Sequence, residues 1–528
     1  MCCARSSQQW EGCVAKTDTV DAVVIGSGPN GLVAATLLAD AGWDVLVLEQ
    51  RAKPGGAVAS AEITAPGFTN DVYSAFYPLG LGSPVLGALN LDVQWQHAPA
   101  VLAHVLPDDR VALLSREVEA TAKSVGTFAH ADADRWESEY ARWLSVRDAV
   151  LESLLRPFPP VRGGLSLLKA AGLGDALRLA RRLTMPVRRL GEELFEGEGA
   201  RVLLAGNTMH TDLGPDQAGG AGFGWLLTML AQDVGNPVPH GGARELTASL
   251  VRRYGGRIET DTRVASVLHA RGVAVGVRLA DGSVVRARRA VIADIPAPNL
   301  YLDLIGGDAL PGKLADDLRK FQWDGDTIKV DWALSGPIPW TNPEAAQAGT
   351  IHLGGDVNGL ATVAHELACG KVPRNPFMLI GQMTTTDPSR SPAGTEAAWA
   401  YTHVPLNGNW TPDRLKRRAD RIELMIEERA PGFRTRILQR SVLGPQDIGS
   451  VNGGTSAIHQ QLIFRPVPGL GRADTPFDRL YLAGCSAWPG GGVHGAAGAN
   501  AARAALTRWG IAGELYKTLI QGAHKALY

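Results

Sequence analysis

Six residues near the N-terminus have the spacing of a phosphate-binding turn. Gly26-Ser27-Gly28-Pro29-Asn30-Gly31 reads G-x-G-x-x-G, directly after the apolar run Val23-Val24-Ile25 and opening a stretch of helical periodicity. The first glycine makes a tight turn, the second lets the backbone approach a pyrophosphate, and the third lets helix and strand pack closely. The helix that follows offers unpaired N–H groups and a positive dipole end to the phosphates. Glu49 ends the next apolar strand, where an acid accepts hydrogen bonds from a ribose and disfavours a 2′-phosphate. Strand, turn, helix, strand and acid agree, so a dinucleotide is expected here rather than an ordinary glycine turn.

A second glycine cluster, Gly490 to Gly495, precedes an alanine-rich helix and makes another helix N-terminus able to stabilise negative charge. His494 lies within it, as a neutral base or as a histidine held under the turn by backbone hydrogen bonds. His403 and His459 read as structural. Trp225, Trp323, Trp332 and Trp488 either line an apolar substrate cavity or belong to the core. Cys485 has no charged neighbour in sequence and is expected to be inert. The five cysteines match no zinc or disulfide spacing, so no metal site is expected and a reducing cytoplasm is the simplest location.

The elements that must position these residues follow from periodicity. Residues 21–49 form a β-α-β unit: strand Val23–Ile25, helix Pro29–Ala41 closed by Gly42, and strand Val45–Leu48. Residues 91–233 read as mostly helical. A second α/β passage holds a helix at 244–254 and strands at 257–259, 264–268, 274–279 and 283–286, the last two joined by Asp281-Gly282. The C-terminal "RLYLAGCSAWPGGGVHGAAGANAARAALTRWG" is strand, turn and helix. The expected fold class is α/β: a discontinuous Rossmann-type domain from 19–90, 235–299 and 450–528, with an inserted α+β substrate domain from 91–234 and 300–449. Residues 1–18 are expected to be a flexible extension.

Composition narrows the partners. The chain has 528 residues, beyond the size at which a single core keeps growing. With 52 basic and 53 acidic residues it gives no global reason to bind nucleic acid. The N-terminus lacks the apolar core of a secretory signal, and no run reaches the ~18 apolar residues of a membrane span. Two segments suit lipid or a lipophilic ligand. One is the charge-free Gln217–Gln232. The other runs from Leu151 to Leu190, with leucines at helical spacing among eight Arg and Lys residues against Glu152 and Asp175. The second reads as an interfacial helix in peripheral membrane contact, or as a surface helix packed on its own core. Oligomeric state is not legible.

"EQRAKPGGAVAS" resembles the E-x-R-x-x-x-G-G signature of the flavoprotein superfamily that holds amine oxidases and phytoene-desaturase-like enzymes. The resemblance continues through "GFTNDVYSAFYPLG", "HGGARELTASL", "DPSRSPAGTEAAWAYTHVP", "QLIFRP" and the C-terminal glycine turn. It covers nearly all of the chain after residue 20, and is greatest to the phytoene-dehydrogenase-related, pyridine-nucleotide-disulfide-oxidoreductase-domain-2-like group. It implies FAD, held by Gly26, Gly28, Pro29, Asn30, Gly31, Glu49, Gln50, Arg51, Gly55, Gly56 and Ala57. Val264 falls on the residue whose backbone meets adenine, and Gly484, Gly492 and Val493 on the segment near the flavin ring. Lys329, in "DTIKVDWALSG", falls near a lysine that holds water at flavin N5 in the amine-oxidase branch. The alternative is a strand-edge lysine facing solvent and paired with Asp331 on the same face. Trp488 departs from the family, which commonly has histidine there. No second G-x-G-x-x-G sits in a strand–helix context, which favours dioxygen or a quinone over nicotinamide as acceptor. The implied function is an FAD-dependent oxidoreductase that dehydrogenates a lipophilic, unsaturated small molecule by hydride transfer. The alternatives are a flavin amine oxidase and a low-turnover flavin scaffold docked on a membrane or partner.

Overall fold

The computed structural model describes residues 17–449 and 453–528. Most of the expected N-terminal extension lies outside them, and Thr17 and Asp18 already belong to the first strand.

Seven strands drawn from distant parts of the chain form the first sheet. Thr17–Ile25 lies between Val45–Leu48 and Val284–Ala293, parallel to both, and Leu480–Leu482 adds in parallel beyond. Strands buried on both faces need continuous apolar sequence, and Val45 to Leu48 are buried at every position. Arg257–Glu259 closes one edge; Val264–Ala270 and Val273–Leu279 close the other as an antiparallel pair. Helix Pro29–Asp40 starts from Gly28 with proline in its first turn, where the missing N–H costs nothing. Helix Ala496–Thr507 packs against it, and its small side chains permit close approach. A Cβ on Gly498 would lie 1.9 Å from the Asn30 carbonyl oxygen. Residues 299–318 also cover this sheet, burying Leu300, Tyr301, Leu314 and Leu318 in its core.

The second sheet runs Ile437–Leu443, Asp326–Leu334, Glu396–Val404, Met378–Gln382, Ala348–Leu353, Ala100–Val105 and Val111–Leu114. Its last two strands come from the stretch read as helical. Ala100 to Val105 is buried throughout, so its apolar run carries no alternation to betray a strand. One face packs Val330, Trp332 and Ala400 onto helix Pro412–Glu427. The other packs Leu102, Leu379 and Trp399 beneath a helical layer that includes Glu198–Thr208 and Gly220–Val234. The charge-free segment ending at Gln232 is therefore core: Trp225, Met229 and Leu230 are buried there.

Arg390 ties the two halves together. Its fully buried guanidinium bonds Asp71 at 2.9 Å and Asp387 at 3.0 Å.

Candidate functional site

The glycine turn is shaped by a residue that is distant in sequence. Asp294 follows strand Val284–Ala293, and its Oδ2 accepts the Gly31 amide at 2.8 Å. A Cβ at Gly28 would lie 2.6 Å from that oxygen, and one at Gly26 would lie 2.7 Å from the Asp294 carbonyl. Gly26 also has φ +92°, which side-chain-bearing residues rarely adopt. Burial, reinforced by the nearby Glu49, pushes the Asp294 carboxyl up to about 7, against the Gly31 hydrogen bond.

Glu49 is buried at the end of its strand. Oε2 accepts the Ser27 amide at 2.9 Å and the Ser27 hydroxyl at 2.6 Å, while Oε1 accepts the Arg51 amide at 2.8 Å. A carboxylate has about four lone-pair sites, so one remains on Oε1 for a hydroxyl donor. Gly55 donates its amide to the Ser27 carbonyl at 3.0 Å, and a Cβ on Gly56 would lie 3.0 Å from Gly28 Cα. The paired glycines thus lie against the turn. Arg51 donates to the Gly56 carbonyl at 3.3 Å and covers the Tyr73 ring. Gln50 is exposed beside them, and the Ala57 carbonyl accepts the Ser74 hydroxyl at 2.8 Å. Val264 opens its strand in the core of the same sheet.

A second helix N-terminus converges on this one. Gly490, Gly492 and Gly495 have φ of +115°, +119° and +70°, and helix Ala496–Thr507 starts from Gly495 without a side-chain cap. Asn30 Oδ1 accepts the Gly498 amide at 3.4 Å, joining the two helix starts. Gly484 lies so close to Ile295 that a Cβ would stand 2.4 Å from its carbonyl oxygen. His494 is buried, and its Nδ1 accepts the Ala496 amide at 3.0 Å. Burial lowers it to about 4, against backbone hydrogen bonds to Gly490 and Gly491, so it is neutral at pH 7 and held under the turn. Val493 is half-buried beside it, and Gly492 is exposed.

Sequence reasoning missed Arg465. Its buried guanidinium donates to the carbonyls of Thr455, Gly453 and Cys485 at 3.0, 2.8 and 2.8 Å and lies against Gly490. It forms no ion pair with any described residue. Its sequence marks it only as part of the stretch "QLIFRP"; contacts across the fold reveal what its side chain does.

Lys329 is central in the second sheet, between Glu396–Val404 and Ile437–Leu443. The solvent-facing strand-edge reading is therefore overturned: Lys329 is 3% exposed. The pairing with Asp331 stands, on the same face. The Lys329 ammonium lies 5.6 Å from the Trp399 ring centre, and Trp399 stacks on Tyr401 at 5.9 Å. Trp399 lies flat because Gly381 has no side chain; a Cβ there would be 2.4 Å from the ring. The same row continues across the sheet through Leu379 and His352 to His104. His352 Nε2 meets His210 Nε2 at 2.7 Å, and burial lowers both His104, to about 4, and His210, to about 3.

The remaining candidates are held by contacts within the fold. Trp332 points to the opposite face and bonds Glu423 at 3.0 Å, and Trp225 bonds Glu139 at 2.6 Å within the core. Trp488 donates to the Arg156 carbonyl at 2.8 Å, and Trp323 packs edge-on against Phe321. His403 meets the Met209 carbonyl at 3.2 Å and His459 meets Gln322 at 3.1 Å. Burial pushes the Cys485 thiol up to about 12, too high for a thiolate at neutral pH. Among the described residues no group of three or more His, Cys, Asp or Glu is placed to hold a metal.

A largely parallel sheet whose glycine turn opens a helix, joined to a second sheet under a helical layer, defines a Rossmann-type dinucleotide-binding fold with a second α+β domain. Residues 24–85 match the family described as an NAD(P)-binding Rossmann-like domain, and residues 166–350 the flavin containing amine oxidoreductases. The chain is 30% identical over 541 residues to the mouse (Mus musculus) pyridine nucleotide-disulfide oxidoreductase domain-containing protein 2, spanning 91% of this chain and 92% of that one. It is 27% identical to the lycopene-forming phytoene desaturase of Pseudescherichia vulneris, spanning 92% and 98%. An oxidoreductase structure from Methanosarcina mazei shares the fold with a TM-score of 0.59 at 18% identity, covering 92% and 99%. The chain belongs to the family of flavin-dependent oxidoreductases that spans amine oxidases and phytoene desaturases. It is an enzyme of that family, and a flavin is its cofactor.

Proposed function

We propose that the protein is an FAD-dependent dehydrogenase acting on a lipophilic, unsaturated small molecule. The observation that carries this reading is the meeting of two glycine-capped helix N-termini at Asn30 and Gly498, above a carboxylate with one lone pair left for a ribose. In this reading Gly26, Gly28, Pro29, Asn30 and Gly31 hold the pyrophosphate, and Glu49, Gln50, Arg51 and Val264 hold the adenosine end. Gly55, Gly56, Ala57, Gly484, Gly492 and Val493 let the chain approach the rest of the cofactor.

When bound, flavin supplies the two-electron acceptor for hydride from an activated C–H bond. The protein's part is placement and electrostatics. The start of helix Ala496–Thr507 sets a positive dipole end where negative charge accumulates on reduction. Lys329, held by Asp331 under Trp399, sets a desolvated cation on the inner face of the second sheet. His494, neutral, fixes the turn by accepting the Ala496 amide. Residues 19–90, 235–299 and 450–528 would form the cofactor domain, with 91–234 and 300–449 closing over it. With no second dinucleotide turn, the reading assigns reoxidation to dioxygen or a quinone.

A second reading, an amine oxidase, is favoured by the stacked Trp399 and Tyr401 pair, an aromatic surface suited to a neutral amine. Release of the cofactor from purified protein and its identification by mass tests the first premise. Anaerobic mixing with long polyenes or terpenoids, and separately with aliphatic amines, tests the second. Flavin bleaching by the unsaturated hydrocarbons is expected. Bleaching by amines alone overturns the dehydrogenase reading, and a protein that releases no flavin dinucleotide overturns both.

A further inference from the structure

Helix Val161–Arg182 shows a row of aliphatic side chains that no described residue covers. Leu165, Leu173 and Leu177 are 62%, 67% and 62% exposed, and Val161, Leu168 and Leu183 continue the row. The other side of the helix is firmly seated. Gly163 lies against Ser153 with no room for a side chain, Ala176 and Leu179 are buried, and Arg182 pairs with Glu139 at 2.5 Å. The orientation is thus fixed with the leucines outward. A break at Gly172, φ 73°, divides the helix, and each half presents its own row at i, i+4 spacing.

The apolar face extends beyond the helix. The chain from Ile458 to Gly471 runs alongside: Phe158 donates its amide to the Gly471 carbonyl at 3.3 Å, and Ile458 and Leu183 both abut Gly219. That segment presents Ile463 and Phe464, also exposed. Its Arg465 reaches inward to Gly490, and Trp488 bonds the Arg156 carbonyl just before the helix. The exposed face and the glycine turn are therefore joined by direct contacts.

Charge selects the occupant. The helix has one acid, Asp175, already bonded to Arg178 at 2.9 Å and Arg142 at 3.3 Å. Arg162 and Lys169, beside the leucine row, form no ion pair with any described residue. A second copy of the chain docking through this face by two-fold symmetry would bring these cations towards each other. A bilayer with anionic headgroups takes both the leucines and the cations, whose stems snorkel to the interface. Among the described residues no helix is long and apolar enough to cross a membrane.

We infer that helix Val161–Arg182, with the Ile463-Phe464 turn, seats the protein on an anionic lipid bilayer without crossing it. Docking stands apart from the flavin reading; only its use in delivering a lipophilic substrate to the cofactor turn rests on that reading.

The test is co-sedimentation of the full-length holoprotein with vesicles of phosphatidylcholine, alone or mixed with phosphatidylglycerol. Binding to the mixed vesicles is expected, weakened by salt as exposed charges are screened. The triple variant Leu165→Ser, Leu173→Ser, Leu177→Ser should partition at least about tenfold more weakly, with flavin spectrum and melting temperature unchanged. Arg162→Gln with Lys169→Gln should lose the preference for phosphatidylglycerol while the leucines still bind. Wild-type protein that ignores mixed vesicles overturns the inference, as does a triple variant that binds equally well. A dimer in light scattering that the triple variant abolishes, without vesicle binding, would assign the face to a second copy instead. Flavin content, read separately, reports on the enzymatic reading whatever the vesicles show.

Discussion

Asp294 places its carboxyl oxygen on the Gly31 amide at 2.8 Å, in the first turn of the helix that opens the dinucleotide site. Burial and the neighbouring Glu49 raise this carboxyl to about 7 from an ordinary value of 3.8. The folded state holds the proton more tightly than the unfolded state, so the stability this group contributes is fully present below about pH 4 and is lost as pH rises through about 7. An ionised Asp294 also repels a pyrophosphate at the same helix start. Cofactor affinity is therefore expected to fall by about tenfold as the group ionises across neutral pH, one pKa unit of coupling being a factor of ten. In Asp294→Asn the amide oxygen still accepts from Gly31, and the pH dependence should flatten. Fluorescence titration of apoprotein with FAD across this range measures it, and a flat wild-type profile would refute the coupling.

Arg390 joins two stretches recognised only as motifs in the sequence, "GFTNDVYSAFYPLG" and "DPSRSPAGTEAAWAYTHVP". Its guanidinium spans Asp71 and Asp387, with all three side chains fully buried. Arg390→Ala leaves two carboxylates without their cation, which costs about 3–5 kcal/mol. Arg390→Lys retains the charge but not the fork that reaches both acids, and should recover only part of the loss. Urea denaturation of the two variants ranks them. Equal stability for wild type and Arg390→Ala would show that the pair carries no net coupling.

The glycine turn makes a third prediction. A Cβ at Gly28 would lie 2.6 Å from Asp294 Oδ2, so Gly28→Trp should purify without flavin. Glu49→Arg replaces the acceptor for the Ser27 and Arg51 amides with a cation and should lower occupancy strongly. The ratio of visible to ultraviolet absorbance of the purified variants measures this, and full occupancy in both would remove the cofactor from this turn.

Much of this site was legible because its signals are local. The turn, its helix and Glu49 lie within one β-α-β unit, and each residue type there answers a backbone demand that sequence spacing expresses. Asp294 and Arg465 were not legible, since each acts on a glycine turn far away in the chain: Asp294 on Gly28 and Gly31, Arg465 on Gly490. Alternation correctly put Lys329 and Asp331 on one face but said nothing of what covers that face. The helical layer above it turned an expected surface pair into a buried one. The same alternation sent Trp332 to the opposite face, away from Lys329 and into the core against Phe433. Of the strands inside the predicted helical stretch, Ala100–Val105 and Val111–Leu114 were hidden because a strand buried along nearly all its length has no polar alternation.

The buried pair of Lys329 and Asp331 yields the last prediction. Asp331 is wholly buried, and its Oδ2 has no hydrogen-bond partner among the described residues. Burial raises its carboxyl and Lys329 opposes that rise. Lys329→Met removes the opposing charge, so Asp331 should take up a proton or destabilise the fold by about 3–5 kcal/mol. Adding Asp331→Leu removes the stranded acid and should restore most of the stability. If the ammonium also acts on reduced flavin, both variants will reoxidise more slowly in air, although only the single one is unstable. Denaturation and stopped-flow reoxidation on the same samples separate the two roles. Stability lost in the single variant and regained in the double, with reoxidation unchanged in both, would leave Lys329 a structural lysine with no part in the chemistry.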